Sequence, residues 1–308
     1  MSRIDEALKR ASQGSVTSRV PSRGGDGTLR LAEELTIEQY PQEARGAEPE
    51  RREPRPAPPH VDDAAFKMAR REVRSTPPQH VGIQSNSKLI VDPSHDNLSL
   101  EQYRRIAATL HEAQTERGLK TVMVTSALPR EGKTLTVINV ALTLSESYGR
   151  RVLVIDADLR RPSVHDVLRI PNGVGLNEVI RGTSGELPFV QVSPTLSVLT
   201  SGELDRNPQG ALSSDRMRRL LQDSTGPFDW VLIDTPPVAH LSDAQLLSRL
   251  ADGVVFVIRA ESTPLPVIEK AVNEIGRESI IGVVLNGVDK AKMAGIDYYD
   301  DSYDSRSR

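Results

Sequence analysis

Cysteine is absent from the 308 residues. Neither a disulfide framework nor a thiolate metal site is available, which suits a reducing compartment. Long apolar runs are missing too, none approaching the ~20 residues needed to span a bilayer. The first residues, Met1-Ser2-Arg3-Ile4-Asp5-Glu6, lack the apolar stretch of a secretory signal. A cytoplasmic protein is expected, reaching a membrane only through a partner. Charge of one sign is not in excess: the net charge of −3 gives no reason to expect nucleic acid. Hydrophobic residues make up 37% of the chain, few enough to predict that part of it stays unfolded.

That part is the N-terminal arm, residues 1–87. Ser, Arg, Gly and Pro dominate between Gly14 and Gly27, and Pro, Glu and Arg between Pro41 and His60. Such a segment cannot bury enough apolar surface to offset its ordering entropy. Two short helical patterns interrupt it. Ser2 would cap a helix carrying Ile4, Ala7, Leu8 and Ala11 on one face, and a second runs from about Asp62 to Arg74. Each is too short to be stable alone. The first reads either as a docking peptide or as a fraying end.

From 88 to 290 apolar runs alternate with helical patterns. Strands are expected at Thr121–Thr125, Val152–Ile155, Leu196–Leu199, Trp230–Ile233, Val254–Ile258 and Ile281–Leu285. Helices are expected at Leu98–Glu116, Lys133–Tyr148, Asp215–Gln222, Ser242–Arg249 and Pro264–Ile275. Near-continuous Val/Ile/Leu strands are buried on both faces, which predicts an α/β domain with a mostly parallel sheet flanked by helices.

The first strand runs into Ser126-Ala127-Leu128-Pro129-Arg130-Glu131-Gly132-Lys133-Thr134-Leu135, and a helix follows. Strand, tight loop ending in Gly-Lys-Thr, then helix is the context of a phosphate-binding loop. Ala127 stands where the first glycine of G-x-x-x-x-G-K-[ST] is usual. Residues Leu128 through Leu135 would line the phosphate site, their backbone N–H groups (Pro129 has none) facing polyphosphate oxygens at a helix N-terminus. Lys133 would meet the β- and γ-phosphates, and the Thr134 hydroxyl would ligate Mg²⁺. Acidic residues at other strand ends complete such a site, because parallel sheets bind ligands beyond their carboxyl ends. Asp234 ends one strand and fits a carboxylate holding Mg²⁺ directly or through water. Asp156 and Asp158, two residues apart, face one side of an extended strand end. One would orient the metal's water shell while the other accepts a proton; alternatively, one of them caps the following helix.

Together these motifs resemble the bacterial tyrosine kinases of capsule and exopolysaccharide synthesis. The resemblance covers residues 98 to 303 and rests on Pro129-Arg130-Glu131-Gly132-Lys133-Thr134, Val154-Ile155-Asp156-Ala157-Asp158-Leu159-Arg160-Arg161-Pro162 and Leu232-Ile233-Asp234-Thr235-Pro236-Pro237. Gly175 to Ile180, Asn207-Pro208, Ser213 to Met217 and Ser242-Asp243-Ala244 support it. It implies a P-loop fold, ATP and Mg²⁺, and a protein tyrosine as acceptor. Asp156 would be the general base, Asp158 and Asp234 would organise Mg²⁺, and Asn286 would touch the adenine. Arg160 would bridge to another subunit or to phosphate, or pair with a carboxylate. A homo-oligomer is implied, with Glu101 and Arg104 at a subunit contact. Ala107 stands where related kinases continue that motif with a second arginine. So is a membrane-embedded polysaccharide co-polymerase as activator, recruiting the kinase to the inner face of the cell membrane. A positioning ATPase of the Min/Par kind would share the loop and carboxylates, but would have no need of a tyrosine tail.

That tail, residues 291–308, holds Tyr298, Tyr299 and Tyr303 among Asp297, Asp300, Asp301 and Asp304. No apolar pattern accompanies them, and a buried tyrosine needs a core. It is expected to be a short flexible substrate tail whose hydroxyls reach an active site. Phosphate added beside the aspartates would repel them and loosen docking.

Overall fold

The computed structural model describes residues 86–92, 97–184, 187–240 and 242–289. The expected arm helices and Tyr298, Tyr299 and Tyr303 lie outside the described residues.

Seven strands form one sheet: β1 (Thr121–Ser126), β2 (Val152–Asp156), β3 (Val190–Ser193), β4 (Leu196–Leu199), β5 (Trp230–Asp234), β6 (Gly253–Arg259) and β7 (Ile280–Asn286). Their order is β3-β4-β2-β5-β1-β6-β7. Every neighbouring pair is parallel except β3 with β4. The expectation of a mostly parallel sheet is borne out.

Successive residues of a strand point to opposite faces, and here each face has its own core. Met123, Leu153, Ile155, Val231, Ile233, Val254, Phe256 and Ile258 turn to one side. They pack against α4 (Leu176–Arg181), α6 (Asp215–Ser224), α7 (Asp243–Ser248) and α8 (Leu265–Ile275). Val122, Val124, Val152, Val154, Trp230, Leu232, Val255 and Val257 turn to the other. There they meet α1 (Asn97–Arg117), α2 (Lys133–Glu146) and α3 (Val164–Leu168). Burial on both faces is why these strands read as unbroken apolar runs.

Helix α2 follows the phosphate loop, and 11 of its 14 residues are buried, so the loop rests on one of the most enclosed helices. A buried polar residue on it, Asn139, meets backbone rather than solvent. Its Oδ1 accepts from Ile90 N–H (3.1 Å) and its Nδ2 donates to the Lys88 carbonyl (3.1 Å). That pair of bonds fixes the chain entering the domain, where Leu89 and Ile90 are buried.

Three short α-helices and one strand were not expected. α3, α4 and α5 (Gln209–Leu212) span five, six and four residues, fewer than two turns, so a 3.6-residue period barely shows; α7, also six residues, was nonetheless expected. β3 is only half-buried and pairs antiparallel across an irregular register. Among the described residues no helix is long and apolar enough to cross a membrane.

Leu232 is fully buried in a central strand, whereas Leu204 is 68% exposed. Leu232→Ala should cost about 2–5 kcal/mol of folding stability, and Leu204→Ala at most about 0.5 kcal/mol. Denaturant midpoints of the two variants test the assignment; equal shifts would contradict it.

Candidate active site

At the carboxyl ends of β1, β2 and β5 the register sets the carboxylates side by side. Asp156 lies opposite Asp234 across β2 and β5, and Asp234 lies opposite Val124 of β1. The backbone continues the alignment, with Ala157 N–H donating to the Asp234 carbonyl (2.8 Å). Both Asp156 and Asp234 are fully buried, and Asp158 is nearly so.

The phosphate loop turns between β1 and α2. Arg130 and Gly132 both adopt left-handed backbone, at φ 67° and 99°. Only glycine is tolerated at the second. Besides the strain of positive φ, a Cβ there would sit 1.9 Å from Asn286 Nδ2. Gly132 caps α2 without a side-chain bond, which leaves the first N–H groups of the helix for an anion.

Lys133 and Thr134 open that helix and reach the carboxylates. Lys133 Nζ is 3.3 Å from Asp158 Oδ2. The Thr134 hydroxyl donates to Asp234 Oδ2 (2.7 Å) and lies 3.0 Å from Ser163 Oγ. Burial disfavours the Lys133 charge, yet Asp234, Asp158 and Asp156 together hold its pKa above the ordinary value.

The two aspartates after β2 do different things. Asp156 Oδ2 accepts the backbone N–H groups of Ser163 (3.1 Å) and Val164 (3.0 Å), so it caps α3. Asp158 takes the lysine. Burial, and after it the charge of Asp234, pushes Asp156 up to about 8. Burial pushes Asp234 up to about 6, against the pull of Lys133 and the Thr134 hydroxyl.

Arg160 resolves to one of its three expected partners. Its guanidinium binds the buried carboxylate of Asp243 through Nε (2.6 Å) and Nη2 (3.4 Å), and donates to the Arg206 carbonyl (2.7 Å). Asp205 N–H also donates to the Leu159 carbonyl (3.0 Å). The segment after β2 is thereby clamped from two sides. Asn286 does not extend into open space: its Nδ2 donates to the Glu131 carbonyl (2.9 Å) and it lies over Gly132. Glu101 and Arg104 pair with each other at 3.6 Å on an exposed face of α1, each about half exposed (51%). Ala107 is fully buried.

One residue at the site was not singled out in the sequence. Ser163 touches Thr134 and lends its N–H to Asp156; its only signal was its place just after Arg161-Pro162. The side chain of Glu131 turns inward, away from the loop's mouth, which the loop motif gives no means of reading.

The donor set fits a cation and a polyphosphate. Asp234 Oδ1 is buried and has no hydrogen-bond partner among the described residues, a costly state for a carboxylate oxygen unless a ligand meets it. No three His, Cys, Asp or Glu side chains among the described residues form a ready metal cage. A cation beside Asp234 and Thr134 would complete its shell with water and phosphate oxygens, as Mg²⁺ does.

No profile of a known protein family matches the chain. It is 38% identical to the tyrosine-protein kinase YwqD of Bacillus subtilis over 221 residues, which are 70% of this chain and 92% of that relative. The chain belongs to the bacterial tyrosine-protein kinases. Among solved structures, the kinase domain of Escherichia coli tyrosine kinase ETK superposes with a TM-score of 0.60 at 31% identity, covering 67% of this chain and 84% of that one. The chimerical protein CapA2B2 gives 0.62 at 30%, covering 68% and 93%. Several curated relatives are much longer: the chain spans 28–32% of their length. The family expected from the three motifs is the one found.

A carboxyl whose pKa rises on folding loses stability as pH climbs from its unfolded to its folded value. For Asp234 and Asp156 that window runs from about 4 through about 6 and about 8. Asp234→Asn should therefore melt higher than the unliganded wild type at pH 8, with the gap closing toward pH 4. Thermal scans across that range check this, and a variant melting lower at pH 8 would contradict it.

Proposed function

We propose that this kinase transfers the γ-phosphoryl group of ATP to its own C-terminal tyrosines, Tyr298, Tyr299 and Tyr303, and through that cycle governs production of a surface polysaccharide. One observation carries the nucleotide half of this reading: Lys133, Thr134 and Asp234 converge beside a buried, unpartnered carboxylate oxygen at a helix N-terminus. The tyrosine half rests on the family and on the composition of the tail.

Backbone N–H groups of the loop and Lys133 would grip the β- and γ-phosphates. Thr134 and Asp234 would hold Mg²⁺, with Asp158 orienting its water shell. The ion, when bound, neutralises charge on the bridging phosphates. The tyrosine oxygen forms a bond to the γ-phosphorus while the bond from that phosphorus to the β,γ-bridging oxygen breaks, and ADP leaves with the electron pair. The phenolic proton passes to Asp156, which must be ionised to accept it; burial raises its pKa to about 8 in the unliganded site, and a bound cation would favour the ionised form. Asp158, paired with Lys133, is less suited to that role.

A tail of this length would reach the site of a neighbouring copy in a homo-oligomer, with Glu101 and Arg104 on the exposed face of α1 at the contact. Asn286 would touch the adenine from the edge of the loop. A membrane-embedded co-polymerase with a cytoplasmic segment would recruit the kinase to the inner membrane face and activate it.

Purified protein given labelled ATP, Mg²⁺ and the activator's cytoplasmic segment should gain phosphotyrosine. Lys133→Met should slow the reaction about a hundredfold or more, and Tyr→Phe at 298, 299 and 303 together should abolish self-labelling. Equal label in the triple variant would remove the tail as acceptor, and ATP hydrolysis without phosphotyrosine would point to a positioning ATPase instead.

A further inference from the structure

Glu131 turns its charge inward, toward the 259–263 connection. Its side chain is 2% exposed, yet a buried carboxylate is costly unless its oxygens are satisfied. Both are. Oε2 accepts Leu128 N–H at 2.6 Å, closing the loop across its own turn. Oε1 accepts Arg259 N–H at 3.3 Å and the Thr263 hydroxyl in a short bond. Arg259 ends β6, and Thr263 lies in the connection to α8.

Further bonds tie the same two segments. Asn286, at the end of β7, donates to the Glu131 carbonyl. Ala260 N–H donates to the Asn286 carbonyl (2.9 Å). Arg259 Nη1 reaches the Arg130 carbonyl at 3.5 Å. The carboxylate thus sits between the two left-handed residues, Arg130 and Gly132. A non-glycine residue in that region persists only when its surroundings hold it there.

We propose that Glu131 is a positioning residue: it braces the phosphate loop in its ligand-accepting shape against the 259–263 connection, with Thr263 as its anchor. The loop's N–H groups then face the mouth before nucleotide arrives, so binding does not have to supply the cost of ordering them. Thr263 influences nucleotide affinity from outside the phosphate-contacting residues. This rests on the reading of the loop as an ATP site.

Thr263→Val and Glu131→Gln separate the brace from simple folding. Valine removes the hydroxyl at constant shape. Glutamine keeps one acceptor oxygen, for Leu128 N–H or for Arg259 N–H, but sets an amide donor against the other. In the full chain, each variant should weaken Mg·ATP binding about tenfold and raise KM for ATP by a similar factor. The kcat at saturating ATP should stay within about threefold. Because both act through one contact, the double variant should be no weaker than the worse single one. Wild-type affinity in a folded Thr263→Val protein would overturn the brace, as would additive losses in the double variant or a fall in kcat with KM unchanged. Should Glu131→Gln not fold, Thr263→Val decides alone. A wild type that fails to bind Mg·ATP would overturn the nucleotide reading and the brace with it, whereas binding in the wild type with unchanged variants overturns only the brace.

Discussion

Three carboxylates and one ammonium group meet at the ends of three neighbouring parallel strands, and the charges do not balance. Asp156, Asp158 and Asp234 are buried or nearly so, and among the described residues Lys133 is the one cation that touches them. In a medium drier than water such an excess of negative charge is tolerated only by protonation, by backbone N–H bonds or by a bound cation. The first two are visible, and Lys133 supplies the positive charge that is present. Asp156 is raised toward neutrality and bonded to the start of α3; Asp158 takes the lysine; Asp234 keeps one oxygen with no partner among the described residues. The site is electrostatically unfinished, and a metal–nucleotide complex is the chemistry that would finish it.

That arrangement depends on register. Parallel pairing places Asp156 beside Asp234 only because β2 and β5 align residue for residue from Val152 and Trp230 upward. Sliding one strand by a single residue would turn every side chain to the other face. The two separate cores, one on each face, hold the register against such a slip. The geometry of the carboxylates at the strand ends is thus held by apolar packing at residues such as Leu153, Leu232 and Ile233.

Much of this was legible because both signals are local. A strand buried on two faces announces itself as a Val/Ile/Leu run, and a loop of Gly-Lys-Thr between strand and helix carries its chemistry in its spacing. β3 escaped because one side of it meets solvent and its pairing is a short antiparallel edge. Helices α3 and α5, of five and four residues, complete too little of a period to be seen; α4 is as long as the expected α7, but it starts after Gly175, which carries no capping side chain. Long-range partners were illegible for a different reason. The choice of Asp243 by Arg160 spans 83 residues, and the reach of Glu131 to Thr263 spans 132. Nothing in the neighbourhood of either residue encodes its partner. The fork at Asp156 and Asp158 was posed correctly but could not be decided from spacing: Asp156 caps α3 while facing Asp234, so capping and site membership are not exclusive.

Ala107 shows the same limit from the other direction. Read as a motif position, it is a missing arginine; in the fold it is a fully buried residue on the side of α1 that packs over α2. A small side chain there lets the helices approach, and a guanidinium would have to enter an apolar seam. The charge that α1 presents outward sits instead at Glu101, Arg104 and Arg105. Glu101 and Arg104 now satisfy each other in an exposed pair, worth roughly 0.2–1 kcal/mol at most. So weak a pair is readily exchanged for a stronger one across an interface. Ala107 is therefore a packing residue of the α1–α2 seam, and its lack of charge leaves the outward pair of Glu101 and Arg104 unaltered.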